Sequence, residues 1–245
     1  MFHLARELNN AKLLYWHQQQ RLRVLQNQQY RWLCLGDTVQ SVMDLNTPQR
    51  LVLPHLHGLA LALYLRPQPG CITELGLGGG AFQRYLQQHA PTSRINSIEF
   101  SHPIIHCFEE FFNPSALNLN IQQADAGQAI HHISNQDLLI LDLFGEQDHP
   151  SFLRDPPFYE ACLAALAAKG LLVINLLPAL SIQLDSVTDL LRNLTGQPCT
   201  VVGIPGYQNK IIFAANLPLP DMHQFDALSV FASTHQVDLN QLILL

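Results

Sequence analysis

The segment Glu74-Leu75-Gly76-Leu77-Gly78-Gly79-Gly80 constrains this 245-residue chain more than any other. It follows a short apolar run, Cys71–Leu75, and precedes a helical pattern over Ala81–His89. Glycines between a strand and a helix permit a tight turn and let a ligand approach backbone N–H groups at the helix start. Gly76, Gly78 and Ala81 also satisfy the dinucleotide pattern G-x-G-x-x-G/A, so the turn alone does not choose between nucleoside cofactors. Four glycines within five positions are more than a bare turn requires.

From this turn onward the rhythm is strand, helix, strand, helix. Strands are predicted at 93–99, 119–123, 138–142 and 171–176, then at 200–204 and 210–215. Helices are predicted at about 103–112, 127–133, 158–168 and 184–194. Leu138–Asp142 is apolar on both faces, as strands inside a parallel sheet are. The alternation predicts an α/β fold built on a doubly wound, mainly parallel, Rossmann-like sheet.

Upstream, residues 12–45 carry β-rich runs with breaks too short for helical crossovers, which predicts a small N-terminal antiparallel β-meander. Thr47-Pro48 has the chemistry of an N-cap followed by a first helical residue. It predicts a helix to about Leu65 that Pro54 bends or restarts. Two units result: a meander at 1–46 and a Rossmann-like cofactor-binding domain at 47–245.

Hydrophobic residues make up 48% and charged residues 13%, a globular composition. A net charge of -6 with no long basic run argues against nucleic acid as a partner. The most apolar stretch, 161–180, is cut by Lys169-Gly170, so no membrane span is expected. Arg6, Glu7 and Lys12 interrupt the N-terminus, and no signal peptide is expected. The five cysteines are scattered without a C-x-x-C pair and read as reduced thiols of a cytoplasmic protein. Among twelve histidines, His55/His57 and His131/His132 are the most closely spaced pairs, and neither has a metal-site spacing, so no metal is expected.

Acidic residues fall where the predicted strands end. Glu99 closes the strand after the glycines, where a carboxylate can accept hydrogen bonds from ribose hydroxyls. Asp125, with Ala126 beside it, follows the third strand, within reach of an adenine amino group. Asp142 ends the fourth. Ligands of open α/β sheets bind outside the carboxyl ends of the strands, so these acids converge on one crevice. Loop 143–157 reads equally as a lid or a surface loop, and His149 within it as a surface residue. His131-His132 is expected at a helix end, and Trp16, Tyr30 and Trp32 in a core or a subunit interface.

Glu74-x-Gly76-x-Gly78-x-Gly80 resembles the first motif of class I S-adenosylmethionine-dependent methyltransferases. More narrowly, the chain resembles the spermidine synthase-like family, which shares that fold. The likeness spans about Arg31 to Ala215. It includes Leu35-Gly36-Asp37-Thr38-Val39-Gln40, similar to the family's L-D-G-x-x-Q, then Gly78-Gly79-Gly80, Glu99, Asp125, Asp142 and the helix opening with Phe158-Tyr159. The family's leading β-meander also matches. The resemblance implies S-adenosylmethionine or decarboxylated S-adenosylmethionine as cofactor, held by Glu74 and Gly76 to Gly80. It implies that Gln40 and His57 approach the cofactor's amino-acid tail, Glu99 the ribose and Asp125 with Ala126 the adenine. Asp142 would face the reacting group as the catalytic residue. A homodimer and a small-molecule acceptor are implied too.

Departures from the family lie at Ala81, where an acid usually follows the triple glycine, at Gly145, where D-x-x-D-P has its second acid, and at Leu51, in place of a gate tyrosine. Glu146 or Asp148 can replace one lost carboxylate. Polyamines are polycations, so these losses point away from true spermidine synthesis. The expected function is transfer of an aminopropyl or methyl group to a small-molecule nucleophile. The alternative is a non-catalytic cofactor-binding or interaction protein that keeps the nucleoside site. A nicotinamide-dependent dehydrogenase accounts for the glycines and Glu99 but not for Asp125, Asp142 or the meander.

Overall fold

The computed structural model describes residues 4–116, 119–144, 150–178, 181–222 and 225–245. A short helix α1 (Leu4–Glu7) precedes four strands: β1 (Lys12–His17), β2 (Leu22–Gln26), β3 (Tyr30–Leu35) and β4 (Thr38–Asp44). They form one antiparallel sheet in sequential order. This is the expected meander, with one more strand, β1, at its edge.

Helices α2 (Pro54–Ala60) and α3 (Ala62–Leu65) lead to a larger sheet. Its first part is β5 (Cys71–Leu75), α4 (Ala81–His89), β6 (Arg94–Glu99), α5 (His102–Cys107), β7 (Asn120–Gln123), α6 (Ala126–Ala129) and β8 (Gln136–Leu141). Its second part is α7 (Pro156–Ala164), β9 (Leu166–Leu176), α8 (Ser181–Thr195), β10 (Thr200–Gly203), β11 (Lys210–Ala214), α9 (Phe225–His235) and β12 (Ile243–Leu244). Strand order is β12-β10-β11-β9-β8-β5-β6-β7. Strands β9, β8, β5, β6 and β7 run parallel, while β11, β10 and β12 are antiparallel to their neighbours. The chain leaves β5 in one direction for β6 and β7, then returns to lay β8 on the other side. The carboxyl ends of β5 and β8 therefore form the crevice that open sheets of this kind offer to ligands.

Period-two side-chain alternation explains why β8 is apolar throughout. Leu138 and Ile140 enter the core under α2, α3 and α4, and Leu139 and Leu141 the core under α7 and α8. All four are essentially inaccessible to water. Each contributes about 1.5–3 kcal/mol by burial. A third core, with Leu22, Val24, Leu33 and Met43 against Phe108 and Phe112, joins the N-terminal sheet to the segment after α5.

Two expectations need correction. The helix predicted from Thr47 begins at Pro54, with Leu53 as its N-cap. Asp44 Oδ1 instead accepts the backbone N–H groups of Asn46 (2.9 Å) and Thr47 (3.2 Å), which holds this stretch as a turn. Strand β9 starts at Leu166, where the sequence predicts the end of a helix; its first residue pairs with Gln136. Among the described residues, no helix is long and apolar enough to cross a membrane.

Candidate functional site

The glycine turn sits where predicted, between β5 and α4. Gly76 has φ +98°, and a Cβ there would stand 2.2 Å from the Asp142 carbonyl oxygen. Only glycine lets the end of β5 lie this close to the end of β8. Gly78 (φ +53°) has nothing within 4 Å of where a Cβ would be, so its open side faces empty space. Gly79 abuts Ser41 of β4, and Gly80 caps α4 against the Phe108 ring.

A residue that motif matching passed over fixes this turn. Arg84, in the first turns of α4, donates to the carbonyls of Gly79 (2.5 Å), Phe112 (2.8 Å) and Pro48 (2.7 Å). Burial lowers its pKa to about 9. It ties the glycine turn to two otherwise separate loops.

The acids converge as the strand ends require. Glu99 closes β6; its Oε2 accepts the Leu77 N–H (3.1 Å) and its Oε1 the Ser101 N–H (2.8 Å). Burial raises its pKa, and the N–H groups of Ser101, Leu77, Gly78 and Phe100 offset part of that rise. Asp125 is the N-cap of α6, accepting the Gln128 N–H at 3.1 Å, with Ala126 buried beside it. Asp142 Oδ1 accepts from Asn175 Nδ2 at 2.8 Å, and Asn175 Oδ1 in turn accepts from Asn209 Nδ2 at 2.9 Å. Glu74 is buried within β5 and accepts from Gln83 Nε2 at 2.5 Å. Burial, reinforced by Asp142 and more weakly by Glu99, holds its pKa well above the usual carboxylate range.

These groups line one cleft of about 1330 Å³ between the carboxyl ends of the parallel strands and the N-terminal sheet. Gln40, Glu74, Gly76, Gly78, Gly79, Glu99, Asp125, Ala126 and Asp142 all border it; Gly80 does not. His57 is elsewhere. It is buried, its Nδ1 accepts the Asp238 backbone N–H at 3.1 Å, and burial lowers its pKa to about 4. Among the described residues, the histidine on the cleft wall is His55. Two residues along a helix turn the side chain by about 200°, so one of the pair faces the cleft and the other the C-terminal segment.

Other cleft residues were not singled out from the sequence for this role. Phe100 stands 72% exposed at the lip beside Glu99. Tyr207 and Asn209, between β10 and β11, border the end nearest Asp142 and Asn175. The available signal was a lone polar residue, Asn175, within the apolar run Leu171–Leu176. Gly145, Glu146, Asp148 and His149 lie outside the described residues. Among the described residues, no cluster of three or more His, Cys, Asp or Glu side chains could hold a metal ion.

The cleft can therefore accept a nucleoside along the glycine turn, Glu99 and Asp125, and a reacting centre near Asp142. No family model matches the chain. A polyamine aminopropyltransferase of Neisseria meningitidis is 31% identical over 150 residues, which is 59% of this chain and 57% of that protein. The match thus spans little more than half the relative's length. Among solved structures, a probable spermidine synthase from Corynebacterium glutamicum superposes with a TM-score of 0.78. That match has 20% identity and covers 91% of this chain and 86% of the other. Human methyltransferase-like protein 13, solved in complex with SAH, gives a TM-score of 0.65 at 21% identity, covering 75% of this chain and 93% of that one. The sheet, with its antiparallel leader, is thus of the class I methyltransferase type.

Proposed function

We propose that this chain, spermidine synthase-like in sequence and fold, is a transferase that moves an aminopropyl group from decarboxylated S-adenosylmethionine to a small-molecule amine. The observation that carries the choice of donor is the charge of the cleft. Glu99, Asp125 and Asp142 line it, beside a Glu74 whose raised pKa favours the neutral acid, and among the described residues no lysine or arginine does. S-adenosylmethionine ends in a carboxylate that a cationic partner would favour; its decarboxylated form is cationic at both the sulfonium and the tail. The aminopropyltransferase relative supports the same reaction class.

The donor brings its own activation, because a neutral thioether is a good leaving group. The protein has to align it, exclude water and manage the acceptor's proton. Glu99 and Asp125 would hold the ribose and the adenine, and Phe100 would cover the base. Gln40 and Glu74 would meet the tail. Asp142, fixed by Asn175, would orient the acceptor amine. The reading as a pure binding protein rests on the departures at Ala81 and Gly145 alone, and the hydrogen-bonded placement of Asp142 speaks against it.

We further propose a cytoplasmic homodimer. All five cysteines are free thiols, which fits a reducing compartment. Among the described residues no strand pairs with the outer edge of β1, where Leu13 is 52% and Trp16 45% exposed. Such an edge is commonly covered by another chain. Light scattering at twice the monomer mass is the expected result.

The reaction is tested by incubating the protein with either donor and an amine panel. Methylthioadenosine is the expected product from the decarboxylated donor. Transfer of a methyl group from S-adenosylmethionine instead would overturn the assignment.

A further inference from the structure

We propose that binding of the decarboxylated donor drives a proton off Glu74, which stands protonated in the empty cleft and becomes the carboxylate that meets the donor's cationic tail. This rests on the transferase reading above and adds to it a linkage between donor affinity and pH.

Enclosure is the first observation. Glu74 is only 3% exposed, yet it borders the cleft. Its Oε2 accepts from Gln83 Nε2 of α4 at 2.5 Å, and among the described residues no lysine or arginine pairs with it. A buried carboxyl with one neutral donor and no cation keeps its proton rather than bear a charge there. The second observation is its company. Strands β8 and β6 flank β5, and each ends in an acid pinned to the end of β5. The Asp142 N–H donates to the Leu75 carbonyl at 2.9 Å, and Glu99 Oε2 accepts the Leu77 N–H at 3.1 Å. Both acids add to burial in raising the Glu74 pKa. Glu99 differs, because the N–H groups of Ser101, Leu77, Gly78 and Phe100 favour its charged form. His55 of α2, also on the cleft wall, has its pKa lowered by burial and supplies no fixed positive charge.

The donor supplies what the empty cleft lacks. It brings a sulfonium and a tail ammonium to acids on adjacent strands. An opposite charge within about 4–6 Å lowers a carboxylate pKa by about 1–3. Glu74 then gives its proton to water and pairs with the cation. At lower pH that proton competes with the donor, so affinity should rise with pH until Glu74 is already ionised in the empty protein. Methylthioadenosine, a neutral thioether without the tail, brings neither charge and should leave the proton in place.

The test is titration calorimetry at neutral pH in phosphate and in Tris, whose heats of ionisation differ, with the decarboxylated donor and with methylthioadenosine. Wild type should release a proton with the donor, so that its observed enthalpy changes with the buffer, and should release none with methylthioadenosine. Glu74→Gln, which replaces the neutral acid by an amide of the same shape, should bind the donor about tenfold or more weakly and with no buffer dependence. Glu99→Gln should keep the release. Donor binding without release in wild type, or undiminished release in Glu74→Gln, would overturn the proposal. Should Glu74→Gln fail to fold, the infrared carbonyl band of a protonated carboxyl decides. The donor should bleach that band in wild type and in Glu99→Gln alike, and a band that is missing or persists would overturn the proposal. A wild type that does not bind the decarboxylated donor at all refutes the transferase reading, and the coupling with it.

Discussion

Asn175 Nδ2 donates to Asp142 Oδ1 at 2.8 Å, from strand β9 to the end of its neighbour β8. Asn175 is itself held by Asn209 at 2.9 Å, and both asparagines are buried. A polar chain from the loop before β11, through β9, to the end of β8 thus aims a carboxylate into a cleft. Replacing Asn175 by Leu should cost about 1–3 kcal/mol of stability, because Asn209 loses its buried partner. It should lower kcat while leaving donor affinity unchanged. Calorimetry beside steady-state kinetics separates the two effects, and an unchanged kcat would remove Asn175 from the positioning of Asp142.

Two glycines of one turn should respond in opposite ways. Gly76→Ala drives a methyl to 2.2 Å from the Asp142 carbonyl, so the soluble yield or melting temperature should fall sharply. Gly78→Ala meets nothing within 4 Å and should cost only the left-handed backbone strain, about 1–2 kcal/mol. Its methyl projects into the space proposed for the donor, so donor binding should fail in a folded protein. Normal donor binding by Gly78→Ala would place the nucleoside elsewhere.

Glu99→Ala leaves the Leu77 and Ser101 N–H groups without their acceptor. Donor affinity should drop by about tenfold or more, equivalent to about 1.4 kcal/mol. The melting temperature of the empty protein should fall as well. Isothermal titration of the mutant checks the first effect and a thermal melt the second.

His57 makes stability sensitive to acid. Its pKa is about 4 in the fold, lowered by burial from an ordinary 6.5. Above 6.5 both the folded and unfolded states keep the ring neutral, and its contribution is fully present. As pH falls towards 4 the unfolded chain takes up a proton that the fold refuses, so about 3 kcal/mol is lost across that window. His57→Gln should flatten this part of the stability curve in urea melts between pH 7 and pH 4. An equally steep loss in the mutant would show that other groups govern it.

The sequence was most legible where a local pattern met a tertiary need. Strand β5 and helix α4 fall on the expected residues because an apolar run, a glycine turn and a helical face follow one another without ambiguity. Asp125 and Asp142 were visible because they end strands, and strand ends define the crevice. The start of α2 was misread because Thr47-Pro48 is a sound helix signal taken locally. Asp44 captures the Asn46 and Thr47 N–H groups first, and Pro54 sets the true start. Leu166–Ala168 reads as helix by composition, yet β9 begins there, paired with β8. Motif matching counted residues to His57, but helix phase turns His55 to the cleft. The Arg84 ties to three carbonyls join segments that no local pattern connects.

The most direct test of the central claim is a thermal titration of the intact protein with decarboxylated S-adenosylmethionine, S-adenosylmethionine, methylthioadenosine and NAD. A ligand of the folded state stabilises it by about 2.7 kcal/mol at a hundredfold over its dissociation constant. The acid-lined cleft predicts the largest rise in melting temperature from the decarboxylated donor, with methylthioadenosine also binding and NAD without effect. A shift from NAD alone would contradict the account.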